Sequence, residues 1–439
     1  MKRRIAALAL CAAVCLSLTP SALAVEEAEK TEENSVTWEE LEERVRAGSA
    51  TAIALSERAG QLGAIDYDRL MDSIRDDMND LADMQWMMSQ LASNSYISPG
   101  TAASAVGAES QLASGYSAYK EAYDDLKDGV TQQDNADLIR QLNDGVNQVV
   151  AGGQTLYIAI LGLEQTLEDG NRGLATIDRT LTELRLRQKL GQVSRDQVES
   201  VEQTRISTIS QLRTLESTIT TYKSQFQVLL GEEPTGELTL APLPEKVEVV
   251  IKAGEEMEAG TETDAETEDG EAGETWSRFD WTDLDYDADL ARAKENSWTL
   301  YDAKNTLDDA EDDWKDGRNS AQKYKREMAQ HAWNAAQATY NGTVQSFEIS
   351  FKTLYDSLAD YEQVWESKKA AVTYQEKLYS NAQMKYQRGM ISRNALLSAQ
   401  DDLESARSAE ESAWRDLFSA RNSYRNAVEY GLVSNSNSN

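Results

Sequence analysis

The sequence predicts an all-α protein built from long antiparallel coiled-coil helical hairpins in two tandem repeats. Three observations carry this. Residues 155–195 return 198 positions later as residues 353–393, without a gap. Two long segments keep a seven-residue spacing of apolar positions, which marks coiled-coil helices. Only five prolines interrupt 439 residues, and strand-type alternation is nearly absent.

From the amino terminus, residues 1–24 read as an export signal. Lys2, Arg3 and Arg4 precede an apolar run from Ile5 to about Leu18, and Ala22-Leu23-Ala24 supplies small residues for cleavage. Cys11 and Cys15 both lie in this segment, so the mature chain holds no disulfide, thiolate metal site or cysteine nucleophile. Leu10 and Val14 precede the two cysteines and argue against a lipidation site. The formal charge is −33, and loss of the three basic signal residues makes it −36. That charge disfavours nucleic acid and anionic membrane surfaces as partners. The single histidine, His331, reads as a surface residue, and no sequence pattern marks a catalytic group, a metal site or a cofactor site.

Residues 25–35 read as a flexible leader. The first repeat covers 36–231 and opens on Val36-Thr37-Trp38-Glu39-Glu40-Leu41. The second covers 279–431 and opens on Phe279-Asp280-Trp281-Thr282-Asp283-Leu284. Trp38 lies 117 residues before Thr155, whereas Trp281 lies 72 before Thr353, so the first copy carries 45 extra residues, placed near 93–137. Asn94 to Gly107, rich in Ser and Ala around Pro99-Gly100, reads as a loop, and Val344 to Phe351 as one short strand candidate without a partner. Between the copies, 232–278 is a linker with Pro234, Pro242 and Pro244 and then an acidic stretch, Gly254 to Thr275, too poor in apolar residues to order itself. Residues 432–439 read as a disordered tail.

The last helix carries the seam Leu396, Ala399, Leu403, Ala406, Glu410, Ala413, Leu417, Ala420, Tyr424, Ala427. The preceding helix carries Leu354, Leu358, Tyr361, Trp365, Lys368, Val372, Gln375, Tyr379, Ala382, Tyr386. Bulky residues facing small ones suit two interlocking antiparallel helices. The turn between them is Arg388-Gly389-Met390-Ile391-Ser392-Arg393. Gly389 suits a left-handed helix end, and Ser392 an N-cap. In the first copy Gly191 and Ser194 take these places, with Gln197 completing a capping box. Val193 and Ile391 are left as apolar residues at the hairpin tips, either stapling the turns or serving a docking surface.

The two tip motifs, the Ala-rich helices after them ending near Gly231 and Gly431, and the two-copy layout resemble the TolC-like outer-membrane efflux proteins over nearly the whole mature chain. The resemblance implies a trimer whose twelve helices close a hollow duct, cofactor-free and non-enzymatic. It implies docking of the tips on an adaptor (membrane-fusion) protein that connects to an ABC or proton-driven pump. The tip residues by this resemblance are Gly191, Val193, Ser194 and Arg195, with Gly389, Ile391, Ser392 and Arg393. Two departures stand out. No β-hairpin of the kind that closes the family's transmembrane barrel is legible, and Ala395 and Ser398 stand where an acidic gate is expected. The alternative reading is a barrel-less coiled-coil scaffold or spacer of the cell envelope.

Overall fold

Short polar side chains set where the helices begin. In a computed structural model, residues 35–433 are described except 95, 97, 245–283 and 320. Thr37 caps α1 (Trp38–Gly48), and Ser49 both ends α1 and caps α2 (Ala50–Gly63). Asp66 caps α3 (Tyr67–Ala92), and Ser98 caps α4 (Pro99–Lys127). Gly129, at φ 81°, leads into the 60-residue α5 (Val130–Lys189). Ser194 caps α6 (Arg195–Leu229), Asp285 caps α7 (Tyr286–Asn296), and Ser297 caps α8 (Trp298–Gly317). The 65-residue α9 (Lys323–Gln387) and α10 (Arg393–Tyr430), capped by Ser392, complete the chain. Each cap satisfies backbone N–H groups that the first turn leaves without partners. Residues from Val36 onward form one unit.

The all-α architecture of paired long helices is as predicted, with α5 against α6 and α9 against α10. Strand structure among the described residues amounts to two two-residue strands, Ser35–Val36 and Thr239–Leu240. The loop expected over Asn94 to Gly107 is mostly helix: α4 starts at Pro99. Proline at the first helical position loses no hydrogen bond, Ser98 accepts from the Thr101 N–H, and the alanines that follow are strong helix formers. The strand candidate Val344 to Phe351 lies inside α9, where Phe347 and Phe351 are buried on one helical face. Each repeat therefore holds a helical pair where the resemblance led to strands: α3 with α4, and α8 with the start of α9. The signal segment and the acidic linker stretch lie outside the described residues.

The core joins the copies. Trp38 of α1 meets Tyr157 of α5 and Phe418 of α10 edge-on, with ring centroids 5.5 and 4.8 Å apart. Trp365 and Trp414 continue the cluster. Among the described residues α5 is the one helix long and apolar enough, by length and composition, to cross a membrane. In the fold its Val146, Val150, Tyr157 and Ile160 are buried. A second cluster, around Phe351, Tyr424 and Val428, belongs to the second copy.

Matching positions of the repeat do matching work. Glu164 accepts from Lys223 at 2.6 Å, and Glu362 accepts from Arg421 at 2.7 Å. Both residues of the second pair lie 198 positions after those of the first. Tyr157 packs on Phe226, and Tyr355 on Tyr424, each at 6.0 Å and again 198 apart. Arg421 and Glu362 are nearly fully buried, whereas the first pair keeps more water. The seam of α10 is at least half-buried throughout. Glu410, its one acidic member, accepts the indole N–H of Trp365 at 2.8 Å. The seam of α9 is less complete: Tyr361, Lys368 and Tyr386 are exposed.

Both return helices end against a kinked serine. A Cβ on Gly48 would lie 1.9 Å from the Leu230 carbonyl oxygen, and one on Gly431 would lie 2.4 Å from the Ser297 backbone. Gly48→Ala is expected to destabilise by about 1–3 kcal/mol, the usual cost of overpacking. Gly60→Ala, in a helix interior with open space around it, is expected to stabilise by roughly 0.5–1 kcal/mol. Urea titration by circular dichroism checks both.

Removing one partner of the buried pair, by Arg421→Met, strands a carboxylate and is expected to cost about 3–5 kcal/mol. Lys223→Met is expected to cost far less, measured the same way. Burial also holds phenol protons in the folded state. It raises the Tyr157 and Tyr424 hydroxyls above their ordinary value, and Tyr430 to about 12. A raised folded pKa means that the folded chain keeps protons that the unfolded chain releases. Stability from these groups is complete below the ordinary value of 10.0 and declines as pH climbs toward about 12. Melting temperatures measured from pH 8 to 11.5 are expected to fall more steeply past pH 10.

Candidate adaptor-facing hairpin tips

Two tight turns stand where α5 meets α6 and α9 meets α10. Gly191 has φ 72° and Gly389 φ 69°, and at neither would an added Cβ meet a neighbour within 4 Å, so their requirement is for the left-handed backbone alone. The N–H of Gln192 donates to the Arg187 carbonyl, and that of Met390 to the Lys385 carbonyl, each at 2.9 Å. Gly191 and Gly389 donate to Gln188 and Tyr386, also at 2.9 Å. Paired bonds of this kind close a helix end with a Schellman motif.

After each turn a serine starts the return helix. Ser194 Oγ accepts from the Gln197 N–H, and the Gln197 side chain accepts from the Ser194 N–H, each at 3.3 Å. Ser392 Oγ accepts from the Ala395 N–H at 3.2 Å. Val193 and Ile391 are half-buried. The apolar residues most exposed at the tips are Leu190, 65% accessible, and Met390, 68% accessible. Sequence reasoning passed over both. Their signal was present: each is an apolar side chain adjoining the turn glycine, one before it and one after it.

The tips are basic in an acidic chain. Arg185, Arg187, Lys189 and Arg195 flank the first turn, and Lys385, Arg388 and Arg393 flank the second. Arg195 reaches Glu199 at 2.7 Å and Arg185 reaches Glu202 at 2.7 Å, while Arg187 pairs with Glu183. Glu183 also accepts from Asn394 at 3.1 Å, which ties the start of α10 to the end of α5 and sets the two tips side by side.

That link is the end of a polar seam between α5 and α10. Arg179 pairs with Asp401, Arg172 donates to the Glu404 carbonyl at 3.1 Å, and Gln165 donates to the Ser408 carbonyl at 2.7 Å. Further along, Gln154 Oε1 accepts from both Asn422 and Asn426 at 2.9 Å. An open groove of about 760 Å³ borders this seam, lined by Gln148, Thr155, Thr343, Ser419 and Asn426 among others. No group of His, Cys, Asp and Glu among the described residues is arranged to hold a metal ion.

Two antiparallel hairpins with joined tips invite comparison with known structures. The outer-membrane channel OprN matches with a TM-score of 0.50 at 11% identity, over 90% of this chain and 89% of that one. The chain has the TolC-like fold. Also similar are the outer-membrane protein VceC of Vibrio cholerae and the outer-membrane channel CmeC of Campylobacter jejuni. VceC has a TM-score of 0.45 at 12% identity, over 89% of this chain and 95% of that one. CmeC has a TM-score of 0.49 at 9% identity, over 72% and 69%. No sequence-family model and no curated protein sequence matches the chain. The TolC-like fold here differs from the family pattern where barrel strands are expected, because helical pairs occupy those positions among the described residues.

The tip turns generate a test. Gly191→Leu with Gly389→Leu forces two side chains into the left-handed region, at a cost of roughly 1–2 kcal/mol each. The double variant is expected to keep its helical content while hydrogen exchange quickens at residues 188–195 and 386–393 alone.

Proposed function

We propose that this chain is an exported, trimeric component of an efflux or secretion system. It forms a helical duct wall that docks by its hairpin tips on an adaptor protein and, through that, on an ABC or proton-driven pump. The duct supplies the path, and the pump supplies the energy. One observation carries the reading: two glycine-turned tips, held side by side at one end of an antiparallel helical fold shared with an outer-membrane channel.

The tips suit docking on helical hairpins. Leu190 and Met390 offer apolar contact, and seven Lys and Arg side chains surround them. An adaptor hairpin with acidic flanks would complement this surface, with Arg195 and Arg393 at the first residue of each return helix. Gly191, Gly389, Ser194 and Ser392 act indirectly, by fixing the turn. Val193 and Ile391, half-buried, support the turns from beneath.

The helical pairs α3–α4 and α8–α9 favour a second reading, a barrel-less scaffold of the envelope. The two are separated by photocrosslinking in cells. A photoreactive residue at Leu190 or Met390 is expected to capture a membrane-fusion adaptor, and one at Tyr222, toward the end of α6 away from the tip, to capture none. Equal capture at all three positions, or none at any, would overturn the docking assignment.

A further inference from the structure

The two helical pairs at the other end of the molecule lack cover. Tyr67, at the root of α3, accepts from Asn135 at 3.0 Å. Tyr301 and Asn305 of α8 reach Asp137 at 2.5 and 3.0 Å, and Arg140 lies 4.2 Å over the Tyr301 ring. Both pairs therefore rise from the same stretch of α5, some fifty residues from the Gly191 turn, which is about 75 Å of helix. Above these roots little is buried. In α3 and α4 only Ile74, Ala105 and Leu126 are enclosed, and in α8 only Leu300. Along α9 the buried residues start at Phe347. Two helices packed on one another with so few enclosed side chains do not bury the surface that helices need for stability in water.

The uncovered surfaces are complementary. On α3, Asp76, Asp77, Asp80 and Asp83 are exposed, and no Lys or Arg occurs from residue 76 to residue 119. Beside them Met84, Trp86 and Met87 are exposed, Trp86 at 64%. The α8–α9 turn is the opposite. Arg318, Lys323, Lys325 and Arg326 fall within nine residues that hold no acidic side chain, with Asp316 just before them and Glu327, 3.5 Å from Lys323, just after. Tyr324 and Met328 are exposed among them, and Trp314 stacks on Trp333 at 4.8 Å just below. The heights agree as well. Counted along each helix, Asp80 and Asp83 lie about 20–24 Å beyond Tyr67, and Arg318 about 26 Å beyond Tyr301.

We infer that the α3–α4 pair of one copy docks on the α8–α9 turn of a second copy of this chain, its aspartates against the Lys and Arg cluster and Trp86 and Met87 against Tyr324 and Met328. The contact is head-to-tail, so three copies close a ring with three identical contacts. A helical collar then stands at the end of the molecule where the resemblance led to a barrel. This inference rests on the trimeric reading above.

No cysteine follows Cys15, so the chain exported without its signal segment makes the test direct. Asp80→Cys and Lys325→Cys, both at exposed positions, are made as separate full-length variants with different tags, coexpressed and oxidised. The expected product is a disulfide-linked heterodimer, with homodimers of either variant at background. Both substitutions placed in one chain are expected to give a ladder that stops at three. Homodimers instead, an intrachain disulfide in the double variant, or no adduct would overturn the contact. Mass photometry of the wild type separates the failures. Trimers without the heterodimer sink the docking alone, and monomers without it sink the ring as well. Charge reversal adds an independent arm. Asp76, Asp77, Asp80 and Asp83 changed to Lys are expected to lower the trimer fraction at least tenfold at low salt, and adding Lys323→Glu and Lys325→Glu is expected to restore it. Failure of the second set to restore assembly, or binding of the wild type to phosphatidylcholine vesicles through Trp86 without a heterodimer, would also count against the docking.

Discussion

The close approach of backbone to backbone at the ends of the return helices governs this molecule. Leu230-Gly231 closes on Gly48, and Gly431 closes on Asn296-Ser297, at distances that leave no room for a side chain. In each case the chain being met is a serine-kinked junction between two short helices, with Ser49 and Ser297 buried and holding nearly the same backbone angles. With one end of each hairpin pinned there, helix length alone decides how far the tip extends. The rows of matched contacts, Tyr157 with Phe226 and Glu164 with Lys223, repeat in the second copy 198 positions on, the same interval that separates the turn glycines Gly191 and Gly389.

The interfaces divide by chemistry. Within a hairpin, the facing sides of α9 and α10 are mostly apolar or aromatic over their anchored half, with the Arg421–Glu362 pair enclosed among them. Between hairpins, α5 and α10 meet largely through amides, hydroxyls and charged groups. Buried polar groups contribute little net stability, but each mispaired one is costly. The apolar seams therefore hold each hairpin closed, while the polar seam fixes how one hairpin is aligned beside the other. A one-turn slip would leave Gln154, Asn422 and Asn426 enclosed without their partners.

Much of this was legible in the residues. The duplicated block revealed two hairpins and their turns, because a glycine for the left-handed position and a serine for the cap are local requirements. The α10 seam was readable because Leu417, Tyr424 and Ala427 recur in strict register. What escaped notice had physical reasons. Pro99-Gly100 resembles a loop unless Ser98 is recognised as a cap, and α4 is too rich in Ala and Ser to show a seam. Phe347 and Phe351 lie four apart, a spacing that both a strand edge and a helix face accommodate. Val193 and Ile391 turn partly inward, which only the folded turn determines, and the same turn pushes Leu190 and Met390 out. The Gln154 cluster joins residues more than 260 positions apart, beyond the reach of any periodicity.

The two longest helices carry a mechanical consequence. α5 and α9 run unbroken for 60 and 65 residues, about 90–98 Å, from the uncovered pairs to the turns. No proline interrupts either one, and the Gly152-Gly153 pair of α5, a site where a helix can bend, lies with Gly153 against Val45 and Leu229 of the core. Each behaves as a stiff lever whose fulcrum is the aromatic core around Tyr157 and Trp365. A tilt of about 5° about that fulcrum displaces the start of α5, about 40 Å away, by roughly 3–4 Å and the start of α9, about 63 Å away, by roughly 5–6 Å. A partner that spread the turns would therefore move the opposite rim by several ångströms, with no intermediate segment changing its fold.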